Sequence, residues 1–151
     1  MANSQAIATS FKQELLCGHH AFGTSVVRGT DAVDTFKGAL YYASASLGAS
    51  TTTYSATGEV SGTGYTAGGA TITNGTQPTT SGTTAFWTPS ASLQWTGLTI
   101  STAFDALLIY NSTQGNKAVG VFTFGSQTIT SGTLTISMPT NDASNALVRL
   151  G

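Results

Sequence analysis

The residues in this chain that could carry chemistry are few and far apart. Cys17-Gly18-His19-His20 places a thiol and two imidazoles within one turn. Asp31 and Asp34, with Asp105 far along the chain, offer carboxylates for calcium. Glu59 is the only charged residue from Gly38 to Phe104. Gly62-Thr63-Gly64-Tyr65-Thr66-Ala67 fits the glycine-rich turn that receives a dinucleotide pyrophosphate.

Each candidate fails a test of context. A structural zinc site needs four ligands, and the chain has one cysteine and two histidines. A Cys17–His dyad would lack a nearby oxyanion signature and an acidic residue to orient the imidazole. The aspartates form no D-x-D-x-D-G loop, and Asp31 and Asp34 read as residues shaping the turn before Thr35. The phosphate turn requires a buried strand before it and a helix after it. Here Thr51 to Thr57 is polar, and Gly68-Gly69 opposes a helix. No Gly-Lys-Ser or Gly-Lys-Thr occurs, so a Walker A loop is excluded. The glycines read as turn residues. General acid–base catalysis needs a positioned titratable pair. No catalytic residue, cofactor site or metal site is therefore assigned. Trp87, Trp95, Tyr41, Tyr42 and Tyr110 could form a sugar platform, but aromatics at alternating positions of a sandwich read first as core or subunit interface.

The elements that must position these residues are mostly strands. Ser10 to Cys17 carries the helix signal: Ser10 and Gln13 fit a capping box, Ile7, Phe11 and Leu15 share one face with Leu16 beside them, and Gly18 suits the stop. Beyond it the period becomes two. Strands are expected over 35–42, 70–73, 83–87, 93–97, 104–110, 117–124, 127–130, 134–138 and 146–150, with turns at 111–116, Gly125-Ser126 and Ser131-Gly132. Ala106 to Tyr110 is a continuous apolar run, expected to be buried on both sides. Residues 48–69 read as a long loop or weak edge strands. The pattern predicts an all-β fold: an antiparallel β-sandwich or jelly-roll-like barrel of about seven to nine short strands with one short N-terminal helix. The expected organisation is an N-terminal arm and helix over 1–22, followed by a single sandwich domain over 23–151. Ile7, Phe11, Leu15 and Leu16 are the candidate subunit contacts, because so short a helix needs a surface to pack on.

Composition bounds the partners. The 151 residues are 7% charged, against about 25% in ordinary domains, and net charge is −1. Such a surface offers no positive field to a nucleic acid or an anionic membrane. No apolar run is long enough to span a bilayer, and the N-terminus lacks the marks of a signal peptide. One cysteine excludes an internal disulfide framework. Asn74-Gly75-Thr76 and Asn111-Ser112-Thr113 read as turn chemistry rather than glycosylation sites.

Several segments together resemble a family of small virion structural proteins of tailed bacteriophages. They are Ser10 to Leu16, Asp34 to Tyr41, Gly58-Glu59-Val60, Gly62 to Gly69, Ala106 to Asn111, Asn116 to Val121, and Leu147 to Leu150. The likeness spans most of the chain and is weakest over 74–92. It brings no catalytic residues. It implies a non-enzymatic protein of the virion, assembled in the host bacterial cytoplasm, with capsid decoration as the leading role and a neck, tail or fibre component as the alternative. Its partners would be other virion proteins (the major capsid protein, or neck and tail proteins) and further copies of itself. A receptor- or carbohydrate-binding module is the reading from a different class.

Overall fold

The computed structural model describes residues 3–8, 10, 11, 15, 18–24 and 33–150. Among these residues, eight strands form two antiparallel sheets: β1 (Ala6–Ile7), β2 (Phe36–Tyr42), β3 (Ala70–Thr71), β4 (Thr79–Ser81), β5 (Thr84–Trp87), β6 (Leu93–Asn111), β7 (Lys117–Ile136) and β8 (Val148–Leu150). The larger sheet runs β1-β7-β6-β2-β3 and the smaller β4-β5-β8. The all-β, antiparallel expectation matches this architecture.

The strands are not uniformly short. The expected segments 93–97 and 104–110 belong to one strand, β6, and 117–124, 127–130 and most of 134–138 belong to β7. Gly125-Ser126 and Ser131-Gly132 are therefore not chain reversals, as the sequence suggested. Ser131 takes a left-handed φ of 47° and Gly97 one of 64°, and the β6–β7 register shifts several times between Trp95 and Ala106. These are bulges, which bend a strand without ending it. The bend is visible in packing. A Cβ on Gly38 would stand 2.5 Å from Leu93 Cδ1, yet Gly38 pairs with Ile109 of the same strand that starts at Leu93. A straight strand from Leu93 to Ile109 would hold those ends about 50 Å apart. The long hairpin thus folds back over itself and closes its own core.

Ala106 to Tyr110 is buried throughout, as its unbroken apolar run requires. One side is covered by the connection from 43 to 69, which contains only isolated bridges. The other faces the bent half of the hairpin and the segment leading into β8. Trp87, Trp95, Tyr41 and Tyr110 are buried in the core, so they form no exposed sugar platform.

Ser10, Phe11 and Leu15 are helical, and the other positions of the expected helix lie outside the described residues. Phe11 is 1% exposed and belongs to the core, and Ala8 is fully buried with it. Ile7 pairs with Gly120 in β1, and Ile7 and Leu15 pack against the same core. Among the described residues of this segment, Ile7, Ala8, Phe11 and Leu15 pack on this chain's own core. Leu16, like Cys17, lies outside the described residues.

Candidate functional site

Glu59 sits in the most elaborate polar cluster of the molecule. Its segment runs along the outer edge of β2: Tyr42 N–H donates to Gly58 O (2.9 Å) and Val60 N–H to Leu40 O (3.0 Å). That pairing carries the Glu59 carboxylate under the loop, where it is 8% exposed. Tyr65 Oη–H (2.7 Å) and Gly68 N–H (2.8 Å) donate to Oε1, and Tyr54 Oη–H (2.6 Å) donates to Oε2. Both oxygens are occupied by donors from the chain itself, and such charge-assisted bonds are the strong ones. Tyr65 Oη in turn accepts Leu40 N–H (3.0 Å), filling the gap in the β2 edge between β3 and Glu59. Tyr110, from β6, donates to Gly68 O (2.7 Å) and stacks on Tyr54 with ring centroids 4.7 Å apart. Tyr41 donates to Ser55 O.

The cluster biases its own titration. Burial, and then the hydrogen bond to the Glu59 carboxylate, push the Tyr54 phenol up to about 12. The same two causes raise Tyr65, while burial is the main cause at Tyr41 and Tyr110. Removing a proton here would desolvate a phenolate beside an existing negative charge. The four phenols are held neutral as donors, and their chemistry is to bind the loop rather than to exchange protons.

The glycine stretch around Gly62 has a different task from the one its motif suggests. A Cβ on Gly62 would stand 2.1 Å from Thr99 O, one on Gly64 2.7 Å from Gly97 O, and one on Gly69 1.9 Å from Gly38 O. These glycines let the loop lie directly on the backbones of β6 and β2. Thr99 N–H donates to Thr63 O (2.9 Å), so this backbone is paired with a strand.

A second polar array lies on the opposite face. Asn111 Oδ1 accepts Thr113 and Gln114 N–H (both 3.1 Å), which turns its amide nitrogen inward. That nitrogen lies 2.7 Å from Asp34 Oδ2 and 3.1 Å from His20 Nδ1. Asp34 also accepts Ala21 N–H (2.9 Å) and Gln114 Nε2–H (3.0 Å). All three side chains are buried. With the amide's two protons directed to Asp34 and His20, His20 Nδ1 is the acceptor. The His20 ring stands edge-on to Phe11 (4.8 Å), and Phe22 stacks on Phe36 (4.6 Å) and leans on Trp87 (4.7 Å). Asp34, Asn111 and the aromatics thereby fasten residues 18–24 to the sheet. Periodicity could not reveal this array, because its members come from three separate segments.

The remaining sequence candidates do not converge. His19 is exposed while His20 is buried. Asp105 accepts from Asn3 Nδ2 (2.7 Å), Asp31 lies outside the described residues, and among those described no three His, Cys, Asp or Glu side chains gather. Asp142 closes a local clip. Bonds from Asn145, then Thr140 and Ser144, hold its carboxyl down at about 2.

A cleft and a strand edge are also accessible. A cleft of about 510 Å³ has Leu107 and Ile109 at its floor, Ile7, Phe122, Ile136 and Met138 along its sides, and Arg149 among its polar lining. Beside it runs the outer edge of β7. β1 covers that edge only at Gly120 and Val121, and Thr52 receives Ala118 N–H. From Phe122 to Ile136, β7 has no backbone partner other than β6 among the described residues.

Compared with known proteins, the chain matches no family model, no curated protein and no solved structure.

Proposed function

We propose that this chain is a non-enzymatic structural protein of a tailed bacteriophage particle, a capsid decoration protein that acts by covering joints between capsid subunits. The observation that carries the reading is the pairing of a nearly uncharged hydroxyl- and glycine-rich surface with a long strand edge that has no second partner strand among the described residues. The segments that resemble virion proteins add to it. A protein of this kind stabilises a lattice because it binds the assembled form and not the separate subunits, and the gain grows with its concentration over its dissociation constant. With 7% charged residues, the attraction comes from apolar burial and backbone pairing rather than long-range steering.

The test is to fractionate particles and locate the protein. Co-migration with DNA-filled heads, and matching density on the head surface in an averaged electron-microscopy map, is the expected result. Recovery with necks, tails or fibres would move it to the alternative position in the virion. Absence from particles together with glycan-array binding would replace the proposal with a receptor module.

A further inference from the structure

We infer that the cleft between the large sheet and segment 137–149 binds a small aliphatic monocarboxylate, with its chain on the sheet and its carboxylate on Arg149. This goes beyond the structural role proposed above and does not depend on it.

Segment 137–149 stands off the sheet here and leaves a space of about 510 Å³. Clefts of roughly 300–1,000 Å³ are the ordinary size for small-molecule sites. Its floor, Leu107 and Ile109, is buried, while Ile7, Phe122, Ile136 and Met138 along the sides are half-buried. Apolar walls open to water favour an apolar occupant, because each CH₂ that leaves water on them is stabilised. Met138 suits such a wall, since its unbranched thioether adapts to the shape of what it meets.

The charge at the cleft sets the other end of the ligand. Val148 and Leu150 line a separate apolar recess with Phe22 and Trp87, so alternation along 147–150 turns Leu147 and Arg149 to the cleft. Arg149 is the only charged residue lining it. Its guanidinium donates to Ser144 O, which steadies the head with one of five donor protons. Among the described residues no carboxylate pairs with it. Asp142, the carboxylate nearest in sequence, is taken up by Thr140, Ser144 and Asn145. A cation without a counter-charge beside an apolar space calls for an anion with an apolar body. The planar guanidinium matches a carboxylate, and a single cation matches a single negative charge. A phosphate would bring a second charge with no partner in the cleft.

The chain has two methionines, Met1 and Met138, so carbon-13 methyl-methionine NMR of the full chain watches the cleft through one resonance, assigned with Met138→Leu. Hexanoate, octanoate and decanoate are titrated below their micelle concentrations. The expected result is a saturable shift of the Met138 methyl, with affinity rising up to roughly fourfold per added CH₂ until the cleft is full. Arg149→Gln should weaken decanoate binding about tenfold or more and leave the binding of 1-decanol unchanged. Ser137→Trp, at an exposed position lining the cleft, should block the shift. Circular dichroism of each variant, matching the wild type, shows that the fold is retained. A Met138 methyl that does not move, or moves without saturating, overturns the inference. So does decanoate affinity that Arg149→Gln leaves intact, which removes the charge from recognition, or that Ser137→Trp leaves intact, which places the ligand elsewhere.

Discussion

The two outer margins of the large sheet make an instructive pair. The connection from Ala43 to Gly69 and the strand from Phe124 to Ile136 are both rich in Ser, Thr and Gly, and each contains at most one charged residue. Composition alone would treat them alike. The first is bound to the β2 edge through Tyr42, Leu40 and the Glu59 cluster. Among the described residues, the second has no backbone partner but β6 beyond Val121. The difference is one carboxylate with tyrosine donors at the right positions. A loop with few apolar anchors needs partners for its polar groups as it closes on a sheet, and Glu59 supplies three such bonds from one side chain. The β7 edge has no such anchor, so its backbone groups remain for water or for another strand.

Removing that anchor should give the largest effect. Glu59→Ala leaves the hydroxyls of Tyr54 and Tyr65 and the Gly68 N–H without their acceptor. Stability should fall by about 3–5 kcal/mol, read as a drop of about 6–20 °C in Tm for a domain of this size. Glu59→Gln, which keeps one acceptor, should lose less. If Glu59→Ala melted like the wild type, the two margins would be held alike and the contrast would fail.

Gly69→Ala should follow. Its φ of 73° and the 1.9 Å approach of an added Cβ to Gly38 O both oppose a side chain. A loss of about 2–3 kcal/mol is expected in denaturant unfolding. The same change at Gly125, where an added Cβ meets nothing within 4 Å, should cost far less. Equal losses at the two glycines would break the contrast.

Alkaline pH should then loosen the loop selectively. The phenols of Tyr41, Tyr54, Tyr65 and Tyr110 are raised above the ordinary value of 10, so folding favours their neutral forms. Their contribution is fully present below pH 10 and is lost as pH rises through about 12, where Tyr54 titrates in the folded state. Tyrosinate absorbance should therefore appear late and together with loss of near-ultraviolet circular dichroism. β7 contains no tyrosine, so pH in this range should not act on its edge directly. Early, independent ionisation of all the phenols would show that the cluster does not hold the loop.

The smallest effect on the monomer's own stability is expected from Thr128→Lys, within about 0.5 kcal/mol, because the side chain is exposed. A larger loss of stability at low protein concentration would mean that the β7 edge is already engaged within the chain.

Much of the strand pattern was legible in the sequence. Period-two alternation from Thr35 to Tyr42 marked β2, and the apolar run at Ala106 to Tyr110 marked a strand covered on both faces. The loop over 48–69 was also legible, because so few apolar anchors cannot form a buried strand. The bulges in β6 and β7 were not. Gly125-Ser126 and Ser131-Gly132 carry the composition of turns, and only the register against β6 decides whether such residues reverse the chain or bend it. The destination of Glu59 was likewise hidden. Its scarcity as a charge was plain, but its burial depends on β2 offering an edge and β6 offering Tyr110, both remote in sequence. The sequence by itself determined the all-β character and the shortage of titratable groups, because side-chain alternation and charge count are properties of the chain read locally. Which groups meet, which glycines lie against backbone, and which strand edge stays open were decided only by the tertiary structure, since each depends on pairings between segments tens of residues apart.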